Sequence, residues 1–262
     1  MTEVVRSPQN SKLKLARAIR ASKERGKLLL EGIHLLEEAL AAEALIHWVL
    51  VSEERLEDSS WQPVLEQARA IGAEVAFCEA KLLSEGSDLD APPGLLAVCN
   101  QPEFDLESTL GGLHEGDYLL VCAGVQEPGN TGAIVRVAAG LGASALVCLK
   151  GGASVWSPRA LRGASGTTFR LPVFDRIPWE QFLHAAQEKE IQILVADAGG
   201  DSIEEHSISK TKPRALVLGM EGKGIPEEIR AVADQVFSIP LTRGVESLNV
   251  ATAAAILSWN LR

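Results

Sequence analysis

From Ser11 to Arg25 the sequence SKLKLARAIRASKER sets apolar residues at 13, 15, 16, 19 and 21 with bases between them. That is a helical period with one basic face. A short apolar run, KLLLEG, follows, then helical IHLLEEALAAEA, strand-like IHWVLVS, helical SWQPVLEQARAIG, the strand AEVAFC and a second apolar run, LLAVCN. This alternation predicts a small α/β domain over residues 1–100. The next stretch, QPEFDLESTLGGLHEGD, is polar and holds Gly111, Gly112 and Gly116, so residues 101–116 read as a linker.

Beyond it the apolar runs become continuous. DYLLVCAGV, ALVCL, IQILVADA, RALVLGM and QVFSIPL read as strands, and GNTGAIVRVAAGLGA, SPRALRGAS, WEQFLHAAQEK and PEEIRAVA as helices between them. Strands of this kind predict a mostly parallel sheet covered on both faces over residues 117–262. Open α/β sheets bind ligands at the carboxyl ends of their strands, which makes this the domain where chemistry is expected. The chain ends GVESLNVATAAAILSWNLR, a terminal helix so apolar that it should be covered on every side. Glu246, Ser247 and Asn249 stand at its head, where Ser and Asn are also ordinary helix caps.

Composition adds limits. With 46% hydrophobic and 23% charged residues the chain is an ordinary globular protein. No apolar run approaches the roughly 18 residues of a membrane span, and the N-terminus MTEVVRSPQN lacks a signal-peptide core. A cytoplasmic location without membrane contact is expected. Cys78, Cys99, Cys122 and Cys148 are widely spaced in apolar segments and form no metal-binding pattern, so no metal is expected.

The net charge of −10 argues against a polyanion partner until its distribution is considered. Residues 1–31 carry eight bases against three acids, and residues 136–176 carry six bases against Asp175 alone. The acids concentrate between them, sixteen against three bases over residues 32–107. Two basic stretches on an acidic chain suggest local polyanion surfaces, although each also fits a solvated helix face.

Three glycine-containing loops fall at strand ends. VQEPGNTGAIVR places a Pro128–Gly129 turn before a helix that Asn130 can cap, with Arg136 on its first or second turn. LVLGMEGKGIPEEI sets Glu221 among Gly219, Gly222 and Gly224, where the backbone can approach a ligand closely. IPLTRGVESLNVA leads into the terminal helix. The first loop lacks the G-x-G-x-x-G dinucleotide fingerprint, and the following strand ends in Lys150 rather than a ribose-binding acid, which disfavours a nicotinamide oxidoreductase.

In this order the three loops resemble the motifs of the SpoU (TrmH) family of RNA ribose 2′-O-methyltransferases, within the SPOUT superfamily. Asn130, Gly132 and Arg136 match N-x-G-x-x-x-R, GMEGKG matches G-x-E-x-x-G, and IPLTRGVESLNVATAAAI matches the third motif. RGASGTTFRLPV looks like the family's R-x-S-x-G stretch. The likeness covers about residues 117–262, and the N-terminal segment is similar to the substrate-binding domain that many members carry. Departures are Glu127 where Asp is common, Met220 where Asn or Ser is common, and Ala164 where Ser is frequent.

The resemblance implies a trefoil knot in the last third of the domain, S-adenosylmethionine as cofactor, and a homodimer whose second copy covers the terminal helix. It implies a cofactor pocket from Gly219, Ile239, Leu241 and Leu248, with residues 195–198 as a further wall. It also implies a catalytic set of Asn130, Arg136, Glu221, Ser247 and Asn249. Members are proposed to use the first-motif Arg as a base, whereas a guanidinium normally stays protonated below about pH 12, which favours a phosphate-holding role. Lys12, Lys14, Arg17, Arg20, Arg159 and Arg162 would form the RNA footprint, on ribosomal RNA in preference to transfer RNA. A noncatalytic RNA-binding or ribosome-assembly factor of the same fold is the alternative from another class.

Overall fold

The computed structural model describes residues 4–87, 89, 92–204 and 208–262. They divide into two compact units, Met1–Glu103 with Trp156–Phe169, and Phe104–Val155 with Arg170–Arg262. In chain order the first unit contains β1 (Val4–Val5), α1 (Ser11–Arg20), β2 (Lys27–Glu31), α2 (Ile33–Ala41), β3 (Ile46–Ser52), α3 (Gln62–Ala70), β4 (Glu74–Cys78), α4 (Ala80–Gly86) and β5 (Leu95–Asn100). Its sheet runs β1-β4-β3-β5-β2, with β5 antiparallel to both neighbours and the other pairs parallel. Asn10 caps α1 by accepting the Lys12 amide, and the apolar face of that helix, Leu13, Ala16 and Ile19, is buried in one cluster with Leu29, Leu50 and Val98. Leu82 and Leu83 of α4 join the same cluster. That helix was not foreseen, because seven residues are too few to display a period.

The second unit contains α5 (Leu106–Gly111), β6 (Tyr118–Cys122), α6 (Pro128–Leu141), β7 (Leu146–Leu149), β8 (Val173–Ile177), α8 (Trp179–Glu188), β9 (Gln192–Ser202), β10 (Arg214–Leu218), α9 (Glu227–Arg230), β11 (Gln235–Ser238) and α10 (Val250–Leu261); α7 (Pro158–Ala164) lies in the segment that clusters with the first unit. Its sheet is parallel throughout, in the order β11-β9-β10-β6-β7-β8. Leu119, Val121, Val147, Val195, Ala215 and Val217 are buried in its core, as continuous apolar strands require.

Three segments differ from expectation. The stretch expected as a linker contains α5, whose Asp105 cap accepts the Ser108 amide at 2.7 Å and whose Leu106 and Leu110 are buried in the core. Only those two apolar positions mark it, one turn apart. The first-motif helix starts at Pro128 with Glu127 as its cap, accepting the Gly129 amide, so Asn130 sits within the first turn and Arg136 two turns further along. Proline is well suited to an opening position, since its missing amide hydrogen has no partner there anyway. Helix α10 buries Ala254, Leu257, Ser258 and Leu261 but leaves Thr252, Ile256 and Trp259 exposed, the indole at 58%. Its apolar character therefore exceeds what one copy of the chain covers.

Candidate active site

The middle of β9, the carboxyl ends of β10 and β11 and the head of α10 enclose a cavity of about 590 Å³. All four residues expected to hold a cofactor, Gly219, Ile239, Leu241 and Leu248, line it, together with Glu221, Ser247 and Asn249. Gly219 has no room for a side chain, since an added Cβ would lie 2.5 Å from the Gly224 carbonyl carbon and oxygen. Met220 and Gly224 exchange two backbone hydrogen bonds of 3.0 Å, closing the loop on itself, with Gly222 and Gly224 at φ +77° and +70°. The Met220 side chain packs over Gly124, so the chain contributes this position to the loop through its backbone.

Three loops are joined by side-chain amides. Asn249 caps α10 by accepting the Ala251 and Thr252 amides at 2.9 and 3.4 Å with Oδ1. Its Nδ2 donates to Asn130 Oδ1 at 2.9 Å, and Asn130 Nδ2 donates to Glu221 Oε1 at 2.8 Å. The cap therefore fixes which way Asn249 points, Asn249 fixes Asn130, and Asn130 presents its NH₂ to the carboxylate. Burial alone would push the Glu221 carboxyl up, but the Asn130 amide and the backbone N–H groups of Glu221, Gln126 and Glu127 outweigh it and hold it below the usual range. Glu221 is an ionised acceptor at neutral pH.

Arg136 is exposed on α6, and no hydrogen bond or ion pair joins it to the described residues. It is six residues beyond Asn130, about 120° round the helix, and does not join the amide relay. The basic residues of the first unit behave differently. Lys12 is buried and donates to Glu74 Oε1 at 2.6 Å; Arg17 donates to Glu85 and to the Pro8 carbonyl, and Arg20 to the Glu85 and Ser87 carbonyls. Arg162 of α7 pairs with Glu31, whose side chain is wholly buried. Lys14 is exposed. Arg159 follows Pro158 on α7.

Two features of the site carried no motif. Gln126 donates its backbone N–H to Glu221 Oε2 at 3.3 Å and its side-chain NH₂ to the Gly124 and Gly151 carbonyls, bracing the first loop. Asp197 lines the cavity, accepts the Gly199 amide at 2.9 Å and pairs with Arg230 at 2.5 Å. Burial opposes its ionisation, yet that amide and the guanidinium hold its carboxyl below the ordinary value. Residues 195–198 were expected as a wall of the pocket, but no motif singled out the acid among them. Among the described residues no cluster of three or more His, Cys, Asp or Glu could hold a metal ion, and no helix is long and apolar enough to cross a membrane.

Residues 117–259 match the SpoU rRNA Methylase family, and residues 10–97 match the MRM3-like substrate binding domain. The chain is 30% identical over 263 residues to the 23S rRNA (guanosine(2553)-2'-O)-methyltransferase RlmP of Bacillus subtilis, covering 98% of both proteins. It is 32% identical to the 23S rRNA (guanosine-2'-O-)-methyltransferase RlmB of Haemophilus influenzae, over 88% of this chain and 95% of that one. Among solved structures it is similar to an AdoMet-bound rRNA methyltransferase from Sinorhizobium meliloti, with a TM-score of 0.84, 26% identity, and coverage of 100% of this chain and 97% of the other.

Proposed function

Because the chain belongs to the SpoU rRNA Methylase family, we propose that it transfers a methyl group from S-adenosylmethionine to the 2′-hydroxyl of a ribose in ribosomal RNA. The observation that carries this reading is the Glu221–Asn130–Asn249 relay, which joins three loops beside one cavity. The cavity has the size of a small-molecule site, commonly about 300–1,000 Å³, with apolar walls and few polar groups. Its fit to the cofactor rests on a floor that only glycine can form at 219 and on Ile239, Leu241 and Leu248, which would hold the adenosine. When bound, the cofactor supplies an electrophilic methyl on a sulfonium sulfur.

Asn130, Glu221, Ser247 and Asn249 hold and orient the ribose hydroxyl. Pre-set geometry of this kind removes much of the entropic barrier to a displacement. Arg136 acts as a cation on the target phosphate, which the planar guanidinium fork is shaped to hold. Arg136→Lys keeps the charge and loses the planar fork, so near-normal turnover in that variant would exclude a fork-dependent role.

The same reading gives the last third of the 117–262 domain a trefoil knot and the protein a cytoplasmic homodimer. A second copy covers the exposed Thr252, Ile256 and Trp259 strip of α10, and Arg136 serves a site shared between copies. Mixing an Arg136→Ala chain with one altered at Gly219 then restores activity, and no restoration would exclude sharing. RNA contacts come from the substrate-binding domain, led by exposed Lys14, with Lys12, Arg17, Arg20, Arg159 and Arg162 shaping that surface. The deciding experiment supplies the protein with labelled S-adenosylmethionine and separate pools of unmodified ribosomal and transfer RNA, then maps the methyl group. The expected product is a 2′-O-methylated ribosomal nucleotide; methylation of a base, of transfer RNA alone, or of nothing refutes the proposal.

A further inference from the structure

Resting on the S-adenosylmethionine reading of the cavity, we infer that Asp197 is a cofactor-binding residue whose Oδ2 accepts a hydrogen bond from the ribose of the adenosyl group, with Arg230 as its positioning residue. The two carboxylate oxygens are used unequally. Oδ1 takes both the Gly199 amide at 2.9 Å and the Arg230 guanidinium at 2.5 Å. Oδ2 has no hydrogen bond among the described residues and lies beside Gly224, 3.5 Å from where a Cβ at that position would stand. Asp197 and Gly224 both line the cavity, and the Asp197 side chain is only 21% exposed. A carboxylate has about four lone-pair sites, so Oδ2 of this half-buried residue keeps its acceptor capacity for a donor that enters the cavity. One oxygen anchors the residue while the other faces ligand space.

The charge balance selects the donor. Arg230 already compensates the carboxylate, so an ammonium at Oδ2 would stand beside a guanidinium and meet its repulsion. An anion has no proton to donate to Oδ2 and would be repelled by the Asp197 carboxylate itself. A neutral hydroxyl fits, and the ribose diol is the neutral donor pair that a nucleoside ligand brings. Asp197 stands one residue past Ala196, where the pairing of β9 with β10 ends, and an acid beyond the paired part of a parallel strand is a general way to hold a ribose. Arg230 belongs to α9, the element directly after the Gly219–Gly224 loop, so its pair with Asp197 ties the middle of β9 to that loop and sets the spacing of two cavity walls.

The test is calorimetric binding of S-adenosylhomocysteine and of its 2′-deoxy and 3′-deoxy analogues to the full chain. Wild type should bind the parent and lose about tenfold in affinity for at least one deoxy analogue, the usual value of one hydrogen bond. In Asp197→Asn the Gly199 amide and Arg230 retain the amide oxygen, which leaves an NH₂ where Oδ2 stood. That variant should bind the parent about tenfold more weakly and treat parent and analogues alike. Arg230→Ala should shrink the discrimination and Arg230→Lys restore it, a recovery that a purely structural role would not produce in the ratio. Equal wild-type affinity for all three ligands, or undiminished discrimination in a folded Asp197→Asn protein, overturns the inference. Failure of wild type to bind the parent at all refutes the cofactor reading itself.

Discussion

In the second unit Asn130 lies 91 residues from Glu221 and 119 from Asn249, yet two side-chain hydrogen bonds join the three. In the first unit Lys12, Lys14, Arg17 and Arg20 share one helix, yet Lys12 pairs with Glu74, Arg17 with Glu85, and Arg20 with backbone carbonyls. The difference follows from reach. Short amide and carboxylate side chains meet only when the backbone delivers them within about 3 Å, so their convergence reports what the loops were built to do. Long cations on flexible stems find acceptors wherever acids are near, and a basic run therefore says little about which charges face a partner.

The largest effect should come from breaking the convergence. Asn130→Ala removes the link between Glu221 and Asn249 and is expected to lower single-turnover methyl transfer by about 10²–10³-fold, as the loss of one preorganised donor commonly does. Thermal melting should move little. Next comes the floor of the cavity: Gly219→Ala places a methyl 2.5 Å from the Gly224 backbone. It should weaken S-adenosylhomocysteine binding by about 100-fold, the cost of the 1–3 kcal/mol overpacking expected of such a clash.

The contrast sharpens on the other side with Arg162→Ala. Removing the guanidinium beside the buried Glu31 carboxylate should cost about 3 kcal/mol of stability, measured by denaturant midpoint. Lys14→Gln, by comparison, should leave stability unchanged and reduce the salt slope of RNA binding by about one. The smallest effect is in pH. Glu221 and Asp197 have lowered folded pKa values, so their stabilising contribution is complete above the ordinary carboxylate range of about 4. It disappears as pH falls through the lower folded values. Neither residue should therefore give the melting temperature a pH dependence from pH 6 to 8, and Asp197→Asn should flatten the acid limb below about pH 4.

The loops that meet at the cavity were legible through the three motifs taken together, since each alone reads as a helix cap, a tight turn or a strand-to-helix connection. Asn249 shows the limit of that logic: it is an ordinary cap and a member of the relay at once, through different atoms of one side chain. The parallel sheet was legible from continuous Val, Leu and Ile runs. Helix α4 and helix α5 were not, since seven and six residues with two leucines each carry no measurable period. Arg230 escaped notice because it stands on helix α9 while its partner Asp197 lies on β9, far away in the sequence.

The most direct test of whether the three loops work as one unit is single-turnover methyl transfer measured for Asn130→Ala, Asn249→Ala and the double variant. Residues acting as a unit give a double loss close to that of either single one. Equal rates in the single and double variants are the predicted result. A double variant whose loss is the product of the two single losses would show independent residues and contradict the relay.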